Sequence, residues 1–213
     1  MLPGFAGIAG TISPRFVTYQ ELKTDTVGAS TYTFSAATIG TAVAGRVVIV
    51  GVTWFNDTAR TLSSATIGGV SASILVQTGA NGTIAVGSAI IAAVVPTGTT
   101  ADVVVNMSGS TGGCAAGVWT ASGLQSAAAF ATGSNTTLAA LGVSTSPAGF
   151  LIAVAANDNT RTFTWTGATE NYDSNYDGTA VASGASIAAV GGTVTVTPTA
   201  SGAATGCLVA ASF

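Results

Sequence analysis

From residue 31 onward, apolar residues fall at every second position or in short unbroken runs, the two patterns a β-strand leaves in sequence. Thr193-Val194-Thr195-Val196-Thr197 alternates strictly, which predicts valines turned to a core and threonines turned to water. Thr31-Tyr32-Thr33-Phe34 alternates in the same way. Arg46–Phe55 is a Val/Ile-rich run, as expected of a central strand covered on both faces. Thr66-Ile67 enters a Gly68-Gly69 turn and Ser71–Gln77 leaves it, a hairpin signal. Ser88–Val95 and Ala101–Met107 flank a turn at Pro96–Thr100, and Gly113–Ser122 follows. Gly149–Ala156, Thr162–Thr166, Ser186–Val190, Thr193–Thr197 and Gly206–Phe213 predict the strands of the second half. No segment keeps a helical period over three turns, and Gln125–Thr132 is a short Ala-rich helix candidate.

The halves also repeat each other in sequence. Ala44-Gly45-Arg46-Val47-Val48-Ile49-Val50 leads to Asn56-Asp57-Thr58-Ala59-Arg60-Thr61. Ala148-Gly149-Phe150-Leu151-Ile152-Ala153-Val154 leads to Asn157-Asp158-Asn159-Thr160-Arg161-Thr162. Ser108-Gly109 before Gly113-Cys114 matches Ser201-Gly202 before Gly206-Cys207. Such self-similarity implies one supersecondary unit built twice. The expected fold is all-β, a jelly-roll-like β-sandwich of about ten strands over residues 31–213. Its repeat halves run over about 31–125 and 136–213. Residues 1–30 match neither repeat and read as an N-terminal arm. Leu2, Phe5, Ile8 and Phe16 are unusually apolar for a solvated tail, so the arm is expected to dock on a partner through them.

Composition narrows the chemistry. Hydrophobic residues at 48% supply a core and argue against disorder. Charged residues are only 6%, against ~25% in an average soluble domain, so Thr, Ser, Gly, Asn and backbone must cover the surface. Such a surface loses little hydration on meeting another protein, and copies repel one another weakly. The net charge is −3, with Lys23, Arg15, Arg46, Arg60 and Arg161 scattered singly, so no phosphate-neutralising patch is expected and no nucleic-acid partner. The chain has no histidine, which removes the commonest general base and metal ligand. Cys114 and Cys207 sit at matching repeat positions and read as two buried thiols rather than a disulfide or a zinc site. The longest apolar runs, Val47–Val52 and Ala89–Val95, are far short of the ~20 residues a spanning helix needs, so no membrane partner is expected. The first residues lack the basic stretch of a secretory signal.

The sharpest local motif is Glu170-Asn171-Tyr172-Asp173-Ser174-Asn175-Tyr176-Asp177-Gly178. Asp173, Asn175, Asp177 and Gly178 match the front half of a calcium loop, but Gly184 stands where a bidentate Glu belongs. A polar surface loop is the better expectation, with calcium as the alternative. Asn56-Asp57-Thr58 and Asn157-Asp158-Asn159 read as side-chain-capped turns, each with an Asp–Arg pair of small value. Trp54, Trp119 and Trp165 are assigned to packing rather than to a sugar platform. The glycine clusters lack the Lys ending of a phosphate loop, and no carboxylates pair across a cleft. No catalytic residue and no cofactor are expected.

Ser64-Ala65-Thr66-Ile67-Gly68-Gly69-Val70, Pro96–Val105 and Trp165-Thr166-Gly167-Ala168-Thr169-Glu170-Asn171-Tyr172-Asp173 carry a resemblance. Together they resemble the Gly/Ala/Thr-rich β-sandwich proteins among the virion structural proteins of tailed bacteriophages, over roughly residues 30–213. The resemblance implies a particle component assembled in the bacterial host cytoplasm, and it transfers no catalytic residues. A capsid decoration or cement protein is the leading expectation. It would act as a homo-oligomer against other virion proteins, the major capsid protein or tail and neck proteins. The alternative is a fibre or tail adhesin domain that binds a host glycan or protein through Asn56-Asp57 and Glu170–Asp177.

Overall fold

Valines and isoleucines at successive positions need cover on both sides, and that need sets the architecture. A computed structural model describes residues 15–176 and 178–213, and all its regular elements are β-strands. The first half holds β1 (Phe16–Asp25), β2 (Ala29–Thr38), β3 (Val47–Asn56), β4 (Leu62–Ile67), β5 (Val70–Ser71), β6 (Ser73–Asn81), β7 (Ala85–Val94), β8 (Thr100–Thr111) and β9 (Gly113–Ser122). The second holds β10 (Ala131–Asn135), β11 (Leu141–Asn157), β12 (Phe163–Thr166), β13 (Thr169–Asn175), β14 (Val181–Ala200) and β15 (Gly206–Ser212). The sheets run β1-β9-β3-β7-β6, β2-β8-β4-β5 and β10-β15-β11-β14-β12, with β13 also on β14 and every pairing antiparallel.

The two long strands of the second half bend from one layer into another. β11 shifts register between Pro147 and Phe150, where Ala148 has φ 56°, and β14 turns at Gly191 and Gly192, with φ 92° and 80°. Beyond the bends, residues 150–157 pair with 181–188 and with β15, while 141–145 pair with 192–196 and β12 takes 197–200. The first half makes the same crossings with the connections between β2 and β3 and between β7 and β8. Each pairing but that of β4 with β5 then has a counterpart. β3 with β7 and β9 corresponds to the inner part of β11 with β14 and β15. β8 with β2 and β4 corresponds to the outer part of β14 with β11 and β12. β1 on β9 and β6 on β7 correspond to β10 on β15 and β13 on β14.

Four layers enclose three cores. Val48, Val50 and Val52 of β3 face Tyr32, Phe34, Val103 and Val105 in the first. Val47 and Ile49, one position out of step, face the opposite way into the central core with Phe150, Ile152, Val154 and Val209. Leu151, Phe163, Val181, Val196 and Leu208 form the third beneath the outer layer of the second half. The halves meet face to face across the central core, β6 lying against β10 and β15. At the other edge Tyr19 of β1 stacks on Tyr172 of β13, with centroids 5.7 Å apart. Because β1 corresponds to β10 and β6 to β13, the seam has the reciprocal contacts of a twofold dimer, within one chain.

Three expectations are corrected here. The sandwich begins at Phe16 rather than residue 31, since β1 pairs with β9 along its whole length. Val17, Tyr19 and Leu22 pack on the central core, and the bulge between Tyr19 and Glu21 breaks the alternation that would have announced the strand. Strands number fifteen among the described residues rather than about ten, the surplus being mostly short or polar edge segments. Gln125–Thr132 is not helical, and Ala131 already opens β10.

The ring of Tyr172 lies over Gly184, its cross-strand partner, and against Gly117 of the facing sheet. A Cβ on Gly117 would collide with that ring. Gly117→Ala is therefore expected to lower stability by roughly 1–3 kcal/mol in urea unfolding, the usual cost of overpacking a filled core.

Candidate functional site

The acidic side chains are turned to the molecule's own backbone. Asp25 accepts from the Val27 N–H (2.9 Å), Asp102 from Ala36 (2.8 Å), and Glu21 from Thr38. Asp158 bridges the halves, Oδ2 accepting from the Thr83 N–H at 2.8 Å and Oδ1 from Thr205 at 2.7 Å. The expected Asp–Arg pairs do not form, and for Arg60 a carbonyl takes the place of the carboxylate. Arg60 Nε donates to the Ser110 carbonyl at 3.1 Å and lies over Gly109, and Arg161 lies over Gly202 in the matching place. Among the described residues the one ion pair is Lys23–Glu21 at 3.7 Å.

Arg46 is the functional residue that sequence reasoning missed. It stands immediately before the largely buried β3 and is 2% exposed. Its Nε donates to the Val95 carbonyl (2.8 Å), Nη1 to Gly40 (2.8 Å) and Nη2 to Thr97 (2.7 Å). One guanidinium thus clasps both connections that cross from layer to layer, using the planar fork that lysine lacks. Burial pulls its pKa below the usual arginine value. The signal was a charge at the head of a Val/Ile run.

The calcium candidates separate. Asp173 lies in strand β13 rather than in a loop, so the surface-loop reading is corrected to a strand over Thr169–Asn175. Tyr172 is what that strand buries. Asp173 Oδ2 accepts from the Phe163 N–H at 2.8 Å, and its buried Oδ1 has no partner. Asn175 Oδ1 accepts from the Gly178 N–H at 2.7 Å, while Asp177 lies outside the described residues. Desolvation, against the opposing bond from Phe163, raises the Asp173 pKa. Desolvation and then the nearby Asp173 raise that of Glu170. Among the described residues no three Cys, Asp or Glu side chains converge on a common point.

The tryptophans and cysteines fall where packing needs them. Trp54 and Trp119 are buried, and their indole N–H groups donate to the Arg60 carbonyl (3.0 Å) and to Asn171 Oδ1 (2.9 Å). Trp165 donates to Ser183 Oγ at 2.8 Å. Cys114 and Cys207 are free, buried thiols. Desolvation raises both, Cys207 to about 11, against the opposing contact with Ser88 Oγ at 3.4 Å. Neither thiol is poised as a nucleophile at neutral pH.

One end of the molecule, where β1 begins and β9 stops, exposes large apolar side chains beside two grooves. A groove of about 330 Å³ is lined by Phe16, Thr18, Gln20, Val43, Arg46 and Thr120. Beside it a groove of about 210 Å³ is lined by Arg15, Leu124, Phe130 and Phe213. Phe16, Phe130 and Val43 are 61%, 59% and 47% exposed, so this end carries half of the large exposed hydrophobic residues among those described. No acidic side chain lines either groove. Of the four interface candidates, Phe16 is placed here, and Leu2, Phe5 and Ile8 lie outside the described residues. At another site Thr83, Asp158, Asn159 and Thr205 line a shallow hollow of about 320 Å³, where both Asp158 oxygens are already engaged. No helix among the described residues is long and apolar enough to cross a membrane.

No protein-family model, curated protein or solved structure matches this chain.

Two measurements check this site chemistry. Arg46→Met leaves three carbonyls without their donor and is expected to cost roughly 1–3 kcal/mol or more in urea unfolding. Asp173 binds its proton more tightly folded than unfolded. Stability should therefore be greatest below the ordinary aspartate range, fall as pH rises through the window up to the folded pKa, and level off above it. Asp173→Asn should remove that slope from a series of melts across acid pH and leave the neutral-pH stability equal or higher.

Proposed function

We propose that the chain is a non-enzymatic structural protein of a tailed-bacteriophage particle, acting as a decoration or cement protein on the capsid exterior. One observation carries the structural part of this reading. Five of the eight acidic side chains, together with Arg46 and Arg60, are bound to the chain's own backbone groups. Groups held this way brace a scaffold, and the feature offered to a partner is the end with exposed Phe16, Val43 and Phe130, which has no acidic lining. Contact through such a surface loses few hydrated charges, which suits a protein packed in many copies against a shell.

The particle assignment rests on the sequence resemblance of Ser64–Val70, Pro96–Val105 and Trp165–Asp173. The strand orders favour the finer fold reading, in which each half is a jelly-roll unit. β1-β9-β3-β7 facing β2-β8-β4-β5 is the arrangement of two interleaved four-stranded Greek keys, and the second half repeats its pairings except for that of β5. The partners on this reading are the major capsid protein and further copies of this chain.

Particle fractionation tests the proposal. An antibody against the chain is used to probe gradient-purified virions of the phage that encodes it, followed by immunogold imaging. The protein should band with the particles, with label over the head. Label confined to fibres or tail tips would make it an adhesin instead, and absence from purified particles would remove the virion role altogether.

A further inference from the structure

The tip of the β6–β7 hairpin carries a reactive pair of residues that the scaffold role leaves unused. Among the asparagines of the chain, Asn81 alone is followed by glycine. Asn81 closes β6 opposite Ala85, and Asn81, Gly82 and Thr83 are exposed. We propose that Asn81 is a built-in modification site: its side-chain amide converts to a carboxylate through a cyclic imide with the Gly82 nitrogen, and Asp158 sets the pace by latching the turn. This goes beyond the particle reading and does not depend on it.

The conversion needs only the chain and water. The Gly82 nitrogen attacks Asn81 Cγ, so that a new C–N bond forms and the Cγ–Nδ2 bond breaks. Ammonia leaves, taking up the proton of the Gly82 N–H. Water then opens the imide ring. Opening at Cγ gives aspartate, and opening at the Asn81 backbone carbon gives isoaspartate, with the main chain lengthened by one methylene. Glycine favours the attack because no Cβ shields its nitrogen and its backbone turns freely. The shallow hollow lined by Thr83, Asp158 and Thr205 brings water to the turn.

The folded turn holds that nitrogen back. The Gly82 N–H donates to the Ile84 carbonyl at 3.0 Å. From the second half, Asp158 Oδ2 accepts from the Thr83 N–H at 2.8 Å and Oδ1 from the Thr205 N–H at 2.7 Å, while the Asp158 N–H donates to the Thr205 carbonyl at 2.9 Å. Attack requires the turn to open locally, and Asp158 is what ties it down. The same packing makes the product disruptive. A Cβ on Gly82 would collide with Asp158 Oδ2 and with Thr205, so the turn has no slack for an added methylene. Either product also places a new negative charge two residues from the amide that Asp158 holds. Conversion therefore releases the Asp158 clasp at this end of the seam.

Ageing the purified full chain in mildly alkaline buffer, followed by peptide mass spectrometry, tests the site. The peptide with Asn81 should gain the mass difference between an amide and an acid and split into aspartate and isoaspartate forms. Asn81→Gln should abolish that gain. Asp158→Ala should age roughly tenfold faster or more, the factor by which losing a hydrogen bond to a charged group shifts local opening. Chain held unfolded in urea should age faster still. A second measurement needs no variant. Hydrogen exchange at 82–84 and 205 should be faster in the aged, more acidic fraction than in fresh protein. Conversion of the urea-unfolded chain with none in the folded chain would overturn the site. An Asp158→Ala rate equal to that of the unsubstituted chain would overturn the latch, and equal exchange in fresh and aged protein would overturn release of the clasp.

Discussion

The apolar seam between two equivalent sheets is the constraint from which the rest of this structure follows. β3 and the inner part of β11 are each covered on both faces, which a lone two-layer sandwich cannot provide. Stacking the halves converts two half-exposed sheets into the middle layers of a four-layer body. The three cores take up the 48% of hydrophobic residues, while the exposed positions are filled mainly by small and uncharged polar residues, with charged residues only 6% of the chain. Glycine sits where the facing sheets come closest. Gly51 meets Val154, and Gly117 with Gly184 makes room for Tyr172, so the seam is filled by rings and branched chains rather than by backbone clashes. Tyr19 and Trp119 complete the cluster, at 5.5 Å from each other.

The halves solve one geometric problem in two ways. In each, the chain must cross from an inner to an outer layer at two adjacent places. The second half bends its strands through Ala148, Gly191 and Gly192, and Phe150 stacks on Phe213 at 5.1 Å beside the bend. The first half breaks its strands into connections whose carbonyls have no ladder partner, and there the position matching Phe150 is Arg46. Its guanidinium supplies the donors that the missing ladder would have given. The same slot in the repeat is thus apolar where the backbone is satisfied by pairing and cationic where it is not.

That difference explains what could be read from the sequence. Strict alternation at Thr193–Thr197 and the Val/Ile run after Arg46 mark strands directly, because period and burial are properties of the local sequence. The buried thiols at Cys114 and Cys207 were legible from their matching repeat positions. β1 was hidden by its bulge. β13 was hidden because Glu170, Asn171 and Asp173 give it the composition of a loop, while Tyr172 alone carries its buried face. The face-to-face stacking of the halves was not legible at all, since the repeat says that a unit occurs twice and not which of its faces meet. The destinations of Arg46 and Asp158 were hidden for the same reason, as each bonds to backbone brought near only by the crossings and the seam.

Edges decide how such a body can associate. Three edge strands of the two central sheets carry register shifts, β1 at Tyr19/Glu21, β6 at Ile74/Val76 and β13 at Glu170/Tyr172, and the fourth, β10, has only five residues. β2, at an edge of the first outer layer, is interrupted twice, with Ala36 at φ 50° capped by Asp102. Bulged or short edges are poor templates for adding a strand from another chain. The flat outer face of the first half is similarly occupied with itself, Thr31 donating to Asn106 and Asn106 to Ser64 across three strands. With edges blunted and that face self-bonded, the uncaptured free energy of association is concentrated where apolar surface is left uncovered. Half of the large exposed hydrophobic residues among those described, Phe16, Val43 and Phe130, lie at one end of the molecule, where the seam, the first crossing and the entry into β10 come together.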